Sequence, residues 1–150
     1  MPTSDLSNQF ASSAIATGLS PAQAEVLAGL AEYREYSEKE VVMDERDEDH
    51  CLFVLLNGRA SVQGTFEQEM SIAEHGTVLG ELSFLDRKPR SATVRSIGTS
   101  QYAILSQELL ETLREKHPDV LAQVLFNISI SLCTKLRSTV RMVNALSASL

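Results

Sequence analysis

The sequence has little of what marks a secreted, fibrous or nucleic-acid-binding protein. It contains two cysteines, Cys51 and Cys133, no tryptophan, and 13 Lys and Arg residues against 20 Asp and Glu. Two cysteines in apolar surroundings indicate buried free thiols in a reducing cytoplasm rather than a disulfide framework. The net charge of −7 disfavours nucleic-acid binding by the chain itself, because such modules need Lys and Arg to replace phosphate counterions.

Motifs of metal sites, targeting signals and catalysis are also lacking. The three histidines, His50, His75 and His117, lie far apart, and none has a second His or Cys at a metal-ligand spacing, so we expect no metal and no cofactor. We expect no secretory signal at the N-terminus, and we expect the longest uncharged run, residues 120–134, to be too short and too polar to span a membrane. No Ser-His-Asp or Cys-His arrangement is supported, so we expect no enzyme activity.

What is present is a globular composition with β-like patterning in the middle of the chain. The 150 residues, 43% of them hydrophobic, indicate a single domain over residues 1–150. We predict an N-terminal helical region at 1–32, a β region at 33–105 and C-terminal helices at 106–150. The β-like runs are Val41–Met43, Cys51–Leu56, Ala60–Val62, Ala92–Val94 and Tyr102–Leu105.

Turn signals separate these runs at Asn57-Gly58, His75-Gly76, Lys88-Pro89 and Gly98-Thr99. Many short strands with frequent turns are typical of an antiparallel sandwich or barrel. The predicted fold class is therefore mainly β with flanking α: a double-sheet β jelly roll with an N-terminal helix and a long C-terminal helix.

Capping residues predict where the helices begin. Ser20-Pro21-Ala22-Gln23 combines a serine N-cap, a proline at the first helical position and a glutamine three residues after the cap. Ser106 can cap a second helix, and Pro118 starts a third. From Pro118 to Ser147 apolar residues recur at steps of three and four, which gives a helix of about 45 Å. One small β domain cannot cover this length, so we expect part of the stripe to pack against another chain or domain. A helix that folds back on its own sheet, or is broken in two, is the alternative.

The segment from Gly80 to Val94 has the chemistry of an anion site. Gly80 permits close backbone approach, and residues 81–85 can form a helical turn whose free N–H groups favour an anion. An arginine fork at Arg90 beside a serine hydroxyl is a good receptor for a singly charged phosphate. The alternative is that Arg90 pairs with Glu81 or Asp86 and merely pins a loop.

The same segment resembles the phosphate-binding cassette of the cyclic nucleotide-binding domain family, known from bacterial catabolite activators, regulatory subunits of cAMP-dependent kinase and cyclic nucleotide-gated channels. Residues 80–92 carry the Gly-Glu pair, the apolar stretch, the loop and the Arg-Ser-Ala end of that pattern in register. The strand at 52–58 and the lead-in at 75–79 extend the resemblance over nearly the whole chain.

The resemblance implies a role for individual residues. Arg90 would bind the exocyclic oxygens of the cyclic phosphate, Glu81 would accept from the ribose 2′-hydroxyl, and Gly80 would make room for the ribose. Ser91 and nearby backbone N–H groups would complete the phosphate cage, and Thr139 on the long helix would contact the adenine amino group unless it is only a small polar interface residue. The implied ligand-binding residues are Gly80, Glu81, Leu82, Ser83, Arg90, Ser91, Ala92 and Thr139.

Two departures from the family pattern are visible. Where the family commonly has Glu-Gly-Asp, this chain has Glu45-Arg46-Asp47, a turn that must avoid a positive φ or carry a local cost and that we expect to lie away from the cassette. The sequence stops at Leu150 without the winged helix-turn-helix of bacterial activators, so the chain is expected to be either a stand-alone sensor or the N-terminal part of a longer protein, and no specific DNA binding by the chain itself is expected.

The function implied by the resemblance is that of a non-catalytic sensor module. It would bind a cyclic nucleotide, most readily cAMP with cGMP as an alternative, and transmit occupancy through its C-terminal helix. Its partners would be the nucleotide and a second copy of the chain, or a downstream effector domain or protein, with no membrane association and a cytoplasmic location. A nucleotide-independent dimerisation module of the same fold is the alternative.

Overall fold

The computed structural model describes residues 4–66 and 68–150, so the first three residues of the predicted N-terminal helical region lie outside the described residues. Its N-terminal helices are α1, Ser4–Ala11, and α2, Pro21–Leu30, with a 3-10 turn at Ala14–Ala16 between them. The predicted start of α2 is confirmed, because the Ser20 side chain accepts from the backbone of Gln23 and the Gln23 side chain accepts from the backbone of Ser20. Helix α1 lies within the predicted helical region at 1–32, although no separate start was predicted for it.

Six antiparallel strands follow in the described residues, and their pairing divides into two halves that share the long strands β3 and β6. In one half β1 and β5 flank β6 and β3, and in the other half β2 and β4 flank the same two strands. This arrangement confirms the predicted double-sheet jelly roll. The strands are β1 Glu32–Tyr36, β2 Val41–Met43, β3 Leu52–Gln63, β4 Glu69–Ala73, β5 Val78–Leu79 and β6 Thr93–Leu105.

Two predicted turns are wrong, because the chain does not reverse at either of them. Gly58 lies within β3 and Gly98 lies within β6, both with positive φ, at the point where the register between the two strands shifts. A Cβ on Gly58 would collide with the backbone oxygen of Thr99. The glycines therefore form a bulge between the two halves of the roll, which bends both strands without ending them.

Strand β3 is buried on both faces over its first residues. Leu52, Val54 and Leu56 contribute to a core that includes the helices, whereas Phe53 and Leu55 pack inside the roll with Tyr102. A strand covered on both faces reads as a continuous apolar run rather than an alternating one, which is why 51–56 shows no period of two.

The C-terminal helices begin where the capping residues predict. Ser106 accepts from the backbone of Leu109 at the start of α4, Gln107–Lys116. Helix α5 then runs from Pro118 to Ala148 without a break, about 46 Å at 1.5 Å per residue. The broken-helix alternative is therefore wrong.

Helix α5 is the single helix among the described residues that is long and apolar enough to cross a membrane, by length and composition only. The expectation that no segment is long enough to span a membrane was based on residues 120–134 alone, and it does not hold for the length of the whole helix. Its first turns pack on the domain, where Val120, Val124 and Ile128 are buried.

Candidate functional site

All eight residues implied by the cassette resemblance line one cleft of about 370 Å³ between α3, Glu81–Asp86, the roll and α5. Six further residues, mostly apolar, complete its walls: Met43, Val62, Met70, Leu79, Val94 and Lys135. The fold therefore brings the cassette and the long helix together, although Glu81 and Thr139 are far apart in sequence.

The first residue of the cassette is shaped by its contact with Arg90. Gly80 caps α3 in the left-handed conformation, with φ of 80°. A Cβ at this position would collide with Nη1 of Arg90, and it would also lie close to the backbone oxygen of Cys51. The glycine thus allows the guanidinium to lie directly against the cassette backbone.

Arg90 is a buried cation at the base of the cleft, with 3% of its surface exposed. Its Nη1 donates to the backbone oxygen of Gly80 at 3.1 Å, and its Nη2 donates to that of Cys51 at 2.6 Å. Nη2 also lies 3.3 Å from Oδ2 of Asp49, so the expected alternative partners, Glu81 and Asp86, are not the ones it has. Its buried Nε has no hydrogen-bond partner among the described residues.

The surroundings of Arg90 affect two neighbouring groups. Burial raises the pKa of the Asp49 carboxyl, but hydrogen bonds from Cys51 and the charge of Arg90 outweigh burial, so the net pKa is lowered. Burial, followed by the adjacent Asp49 carboxylate, raises the pKa of the Cys51 thiol to about 11, and this thiol therefore stays protonated at neutral pH. Cys51 is half-buried, but the prediction of a buried thiol is wrong for Cys133, which is exposed.

The turn at 45–47 does not lie away from the cassette, as expected from the sequence. The backbone N–H of Arg46 donates to the oxygen of Arg90 at 2.9 Å, and the N–H of Arg90 donates to the oxygen of Asp47 at 3.1 Å. Arg46 has φ of 72°, which is the left-handed backbone conformation that glycine adopts most easily. A non-glycine residue in this conformation carries a local cost in conformational energy. The turn therefore helps to hold Arg90 in position.

Glu81 is also buried, with 5% of its surface exposed, and its partner comes from α5. Nζ of Lys135 lies 2.8 Å from Oε1 and 2.9 Å from Oε2 of Glu81, and it also donates to the backbone oxygen of Val78. Sequence reasoning missed Lys135. Its position one helical turn before Thr139, on the same face of α5, is the signal that would have found it.

The remaining cassette residues differ in how far they are free to bind. The Ser83 hydroxyl is buried and already bonded, to Nδ1 of His50 at 2.9 Å and to the oxygen of Asp49 at 3.0 Å. Ser91 is exposed at the cleft, and Leu82 is half-exposed. The first N–H groups of α3 have no partner within the helix, as at any helix start. On α5, the Thr139 hydroxyl donates to the oxygen of Lys135 at 3.0 Å.

Within residues 4–66 and 68–150, no three His, Cys, Asp or Glu side chains come close enough together to hold a metal ion. The polar groups of the cleft are instead a buried arginine, a buried carboxylate paired with lysine, and exposed hydroxyls. This set suits an anionic, hydroxyl-bearing organic ligand.

Comparison with known proteins agrees with this chemistry. Residues 33–117, more than half of the chain, match the family model of the cyclic nucleotide-binding domain. A crystal structure of a cyclic nucleotide-binding domain from Methylobacillus flagellatus KT is similar with a TM-score of 0.86 at 19% identity, over 94% of this chain and 84% of that chain.

Two curated relatives are much longer proteins. The chain is 32% identical over 90 residues to the cAMP-dependent protein kinase regulatory subunit of Mycosarcoma maydis. The matched segment covers 58% of this chain and 17% of that protein. It is also 28% identical over 97 residues to lysophospholipase nte1 of Aspergillus oryzae. This second match covers 62% of this chain and 6% of that protein. The chain thus corresponds to a small portion of each relative.

Proposed function

The chain belongs to the cyclic nucleotide-binding domain family, and on that premise we propose that it is a sensor module whose cleft binds cAMP. Domains of this family are regulatory and not themselves catalytic. The match to an enzyme covers only 6% of that enzyme and does not change this conclusion.

The single observation that carries the proposal is the buried guanidinium of Arg90. A buried N–H without a partner costs free energy, and Nε of Arg90 is such a group at the cleft that also contains the start of α3. A cyclic phosphate can bring oxygen acceptors to the guanidinium, to the α3 N–H groups and to the Ser91 hydroxyl at the same time.

The rest of the cleft suits the sugar and the base. Glu81 supplies a buried carboxylate for the ribose 2′-hydroxyl, as the cassette resemblance implies. Met43, Val62 and Met70 supply apolar surface for a purine, and Thr139 supplies a hydroxyl for the adenine amino group. A cleft of about 370 Å³ lies within the usual range for small-molecule sites.

Two further features favour cAMP over cGMP. Ser91 follows the arginine, where relatives that prefer cGMP often have threonine, and one curated relative is named a cAMP-dependent regulatory subunit. The proposed setting is cytoplasmic. The proposed partners are the nucleotide and a second copy of the chain at α5, without nucleic-acid binding by the chain itself.

Isothermal calorimetry with cAMP and cGMP tests the binding proposal directly. Arg90→Lys keeps the positive charge but removes the planar fork, and it should weaken cAMP binding about ten- to a hundredfold because one or more charge-assisted hydrogen bonds are lost. Arg59→Ala, an exposed arginine on β3, is the matched control and should bind like the parent.

The result separates the two candidate functions. A parent chain that binds neither nucleotide, by calorimetry and by thermal shift, would leave the nucleotide-independent dimerisation module as the function. Equal cAMP affinity for Arg90→Lys and the parent would remove Arg90 as the phosphate anchor even if cAMP binds.

A further inference from the structure

Glu81 and Lys135 form an ion pair across the cleft that none of the roles above requires. The Glu81 carboxylate is nearly inaccessible to solvent, and Lys135 contacts both of its oxygens. The third contact of the ammonium is with the backbone oxygen of Val78, so each of its three N–H donors has a partner. The ion pair joins the cassette directly to α5.

The hydrogen bonds at Glu81 leave room for one more donor. A carboxylate accepts at about four positions. Lys135 occupies one position on each oxygen, and the Ser131 hydroxyl makes a long contact of 3.4 Å with Oε2. One position on Glu81 therefore has no protein partner among the residues that the structure describes.

A ribose hydroxyl is expected to add to this pair rather than to replace Lys135. Displacing Lys135 would break two hydrogen bonds between its ammonium and the buried Glu81 carboxylate, whereas a ribose hydroxyl supplies only one in their place. Lys135 is thus expected to stay on Glu81 when the nucleotide enters, and the 2′-hydroxyl to take the position that is free.

We infer that Lys135 is a positioning residue for ribose recognition: it holds the Glu81 carboxylate in the orientation that accepts the 2′-hydroxyl, and so determines selection of ribose over 2′-deoxyribose. The inference rests on the proposed function. Because Lys135 belongs to α5, the same contact places the ribose end of the ligand one side chain away from the long helix.

The test is calorimetry with cAMP and with 2′-deoxy-cAMP, on the parent, Lys135→Met, Glu81→Gln and the double variant. The parent should prefer cAMP about ten- to a hundredfold. In Lys135→Met this preference should fall to about twofold, mainly through weaker cAMP binding, because the deoxy analogue makes no use of Glu81. In the Glu81→Gln background, adding Lys135→Met should change the preference by no more than about twofold.

Three controls keep the outcomes distinct. Arg137→Met lies on the same helix and is exposed, so it should keep the parent's preference. Lys135→Arg retains the charge and should retain most of the preference. Should Lys135→Met fail to fold, Lys135→Gln takes its place with the same expected loss.

Two results would overturn the inference while leaving the proposed function intact. One is a Lys135→Met variant with the parent's preference for ribose. The other is an equal loss of affinity for both ligands, which would make Lys135 a purely structural residue. A parent that binds neither ligand would instead contradict the proposed function itself.

Discussion

The two halves of α5 share one helix and a similar apolar stripe, but only the first half is covered. In residues 118–132 the stripe contributes to the core between helices and sheet, and Ile128 is fully buried. In residues 136–148 every residue is exposed, and Leu136 and Val143 are 65% and 54% exposed. The cleft, with Lys135 and Thr139, lies at the boundary between these halves.

The same apolar pattern therefore has two structural settings: in the first half of α5 it lies in the domain core, and in the second half it lies at the surface. The uncovered part of the stripe is the surface that we propose for a second copy of the chain, because monomers rarely leave a large apolar patch in water. A nucleotide bound at the boundary would lie beside the first turn of the uncovered half, so in the proposed dimer a small shift of the helix would change the contacts with the second copy.

The largest expected effect distinguishes the two halves by stability. Ile128→Ala should lower the free energy of unfolding by about 2–5 kcal/mol, because it leaves a cavity in the core. Leu136→Ala should change it by less than about 0.5 kcal/mol, because the side chain is exposed in the monomer. Urea unfolding at a concentration where sedimentation shows monomers measures both. Similar losses for the two variants would contradict the comparison.

The second prediction concerns association. Leu136→Glu should raise the dissociation constant of the proposed dimer at least about tenfold, because it would place a carboxylate in the apolar stripe of α5 that forms the proposed dimer contact. Ser138→Glu adds the same charge two residues further along, where the side chain faces another direction, and it should have a smaller effect. Sedimentation of all three proteins is the measurement, and a parent that is monomeric at every concentration would contradict the proposed dimer.

The smallest expected effect is on cAMP binding, and it concerns Thr139 at the boundary between the two halves of α5. Thr139→Ala should weaken cAMP binding about two- to tenfold through one lost neutral hydrogen bond, and it should leave cGMP binding unchanged. Thr134→Ala removes a similar hydroxyl from α5 outside the cleft and serves as the control in the same calorimetry. Unaltered cAMP affinity in Thr139→Ala would limit Thr139 to a role in helix packing.

The sequence predicted those features of the fold that depend on residues close together in the chain. The caps at Ser20 and Ser106 begin helices as expected, since a cap is a contact within one turn. Asn57-Gly58 and Gly98-Thr99 were wrongly predicted as turns, because a glycine signal reports a positive φ and not whether the chain reverses. Strands β1, β4 and β5 were missed; the sequence of β1 is exposed and charged and has no alternating pattern.

For the site, the sequence indicated which residues lie in the cleft but not how they are paired. The cassette resemblance selected Arg90 and Glu81, and both are buried beside the same cleft. Their ionic partners, Asp49 and Lys135, lie outside the cassette, and the sequence offers many other acids and bases at the surface. The contact between the 45–47 turn and Arg90 was likewise not expected.

From the sequence alone followed the starts of α2, α4 and α5, the longer β-like runs and the chemistry of the cassette, because these depend on short-range sterics, hydrogen bonding and residue type. Three outcomes became visible only in the three-dimensional structure: Lys135 pairs with Glu81, Asp49 pairs with Arg90, and half of α5 is left uncovered. Those outcomes depend on how far the roll extends along the helix and on which charged side chains the fold brings together, because a contact between residues 54 positions apart is set by the packing of the whole domain.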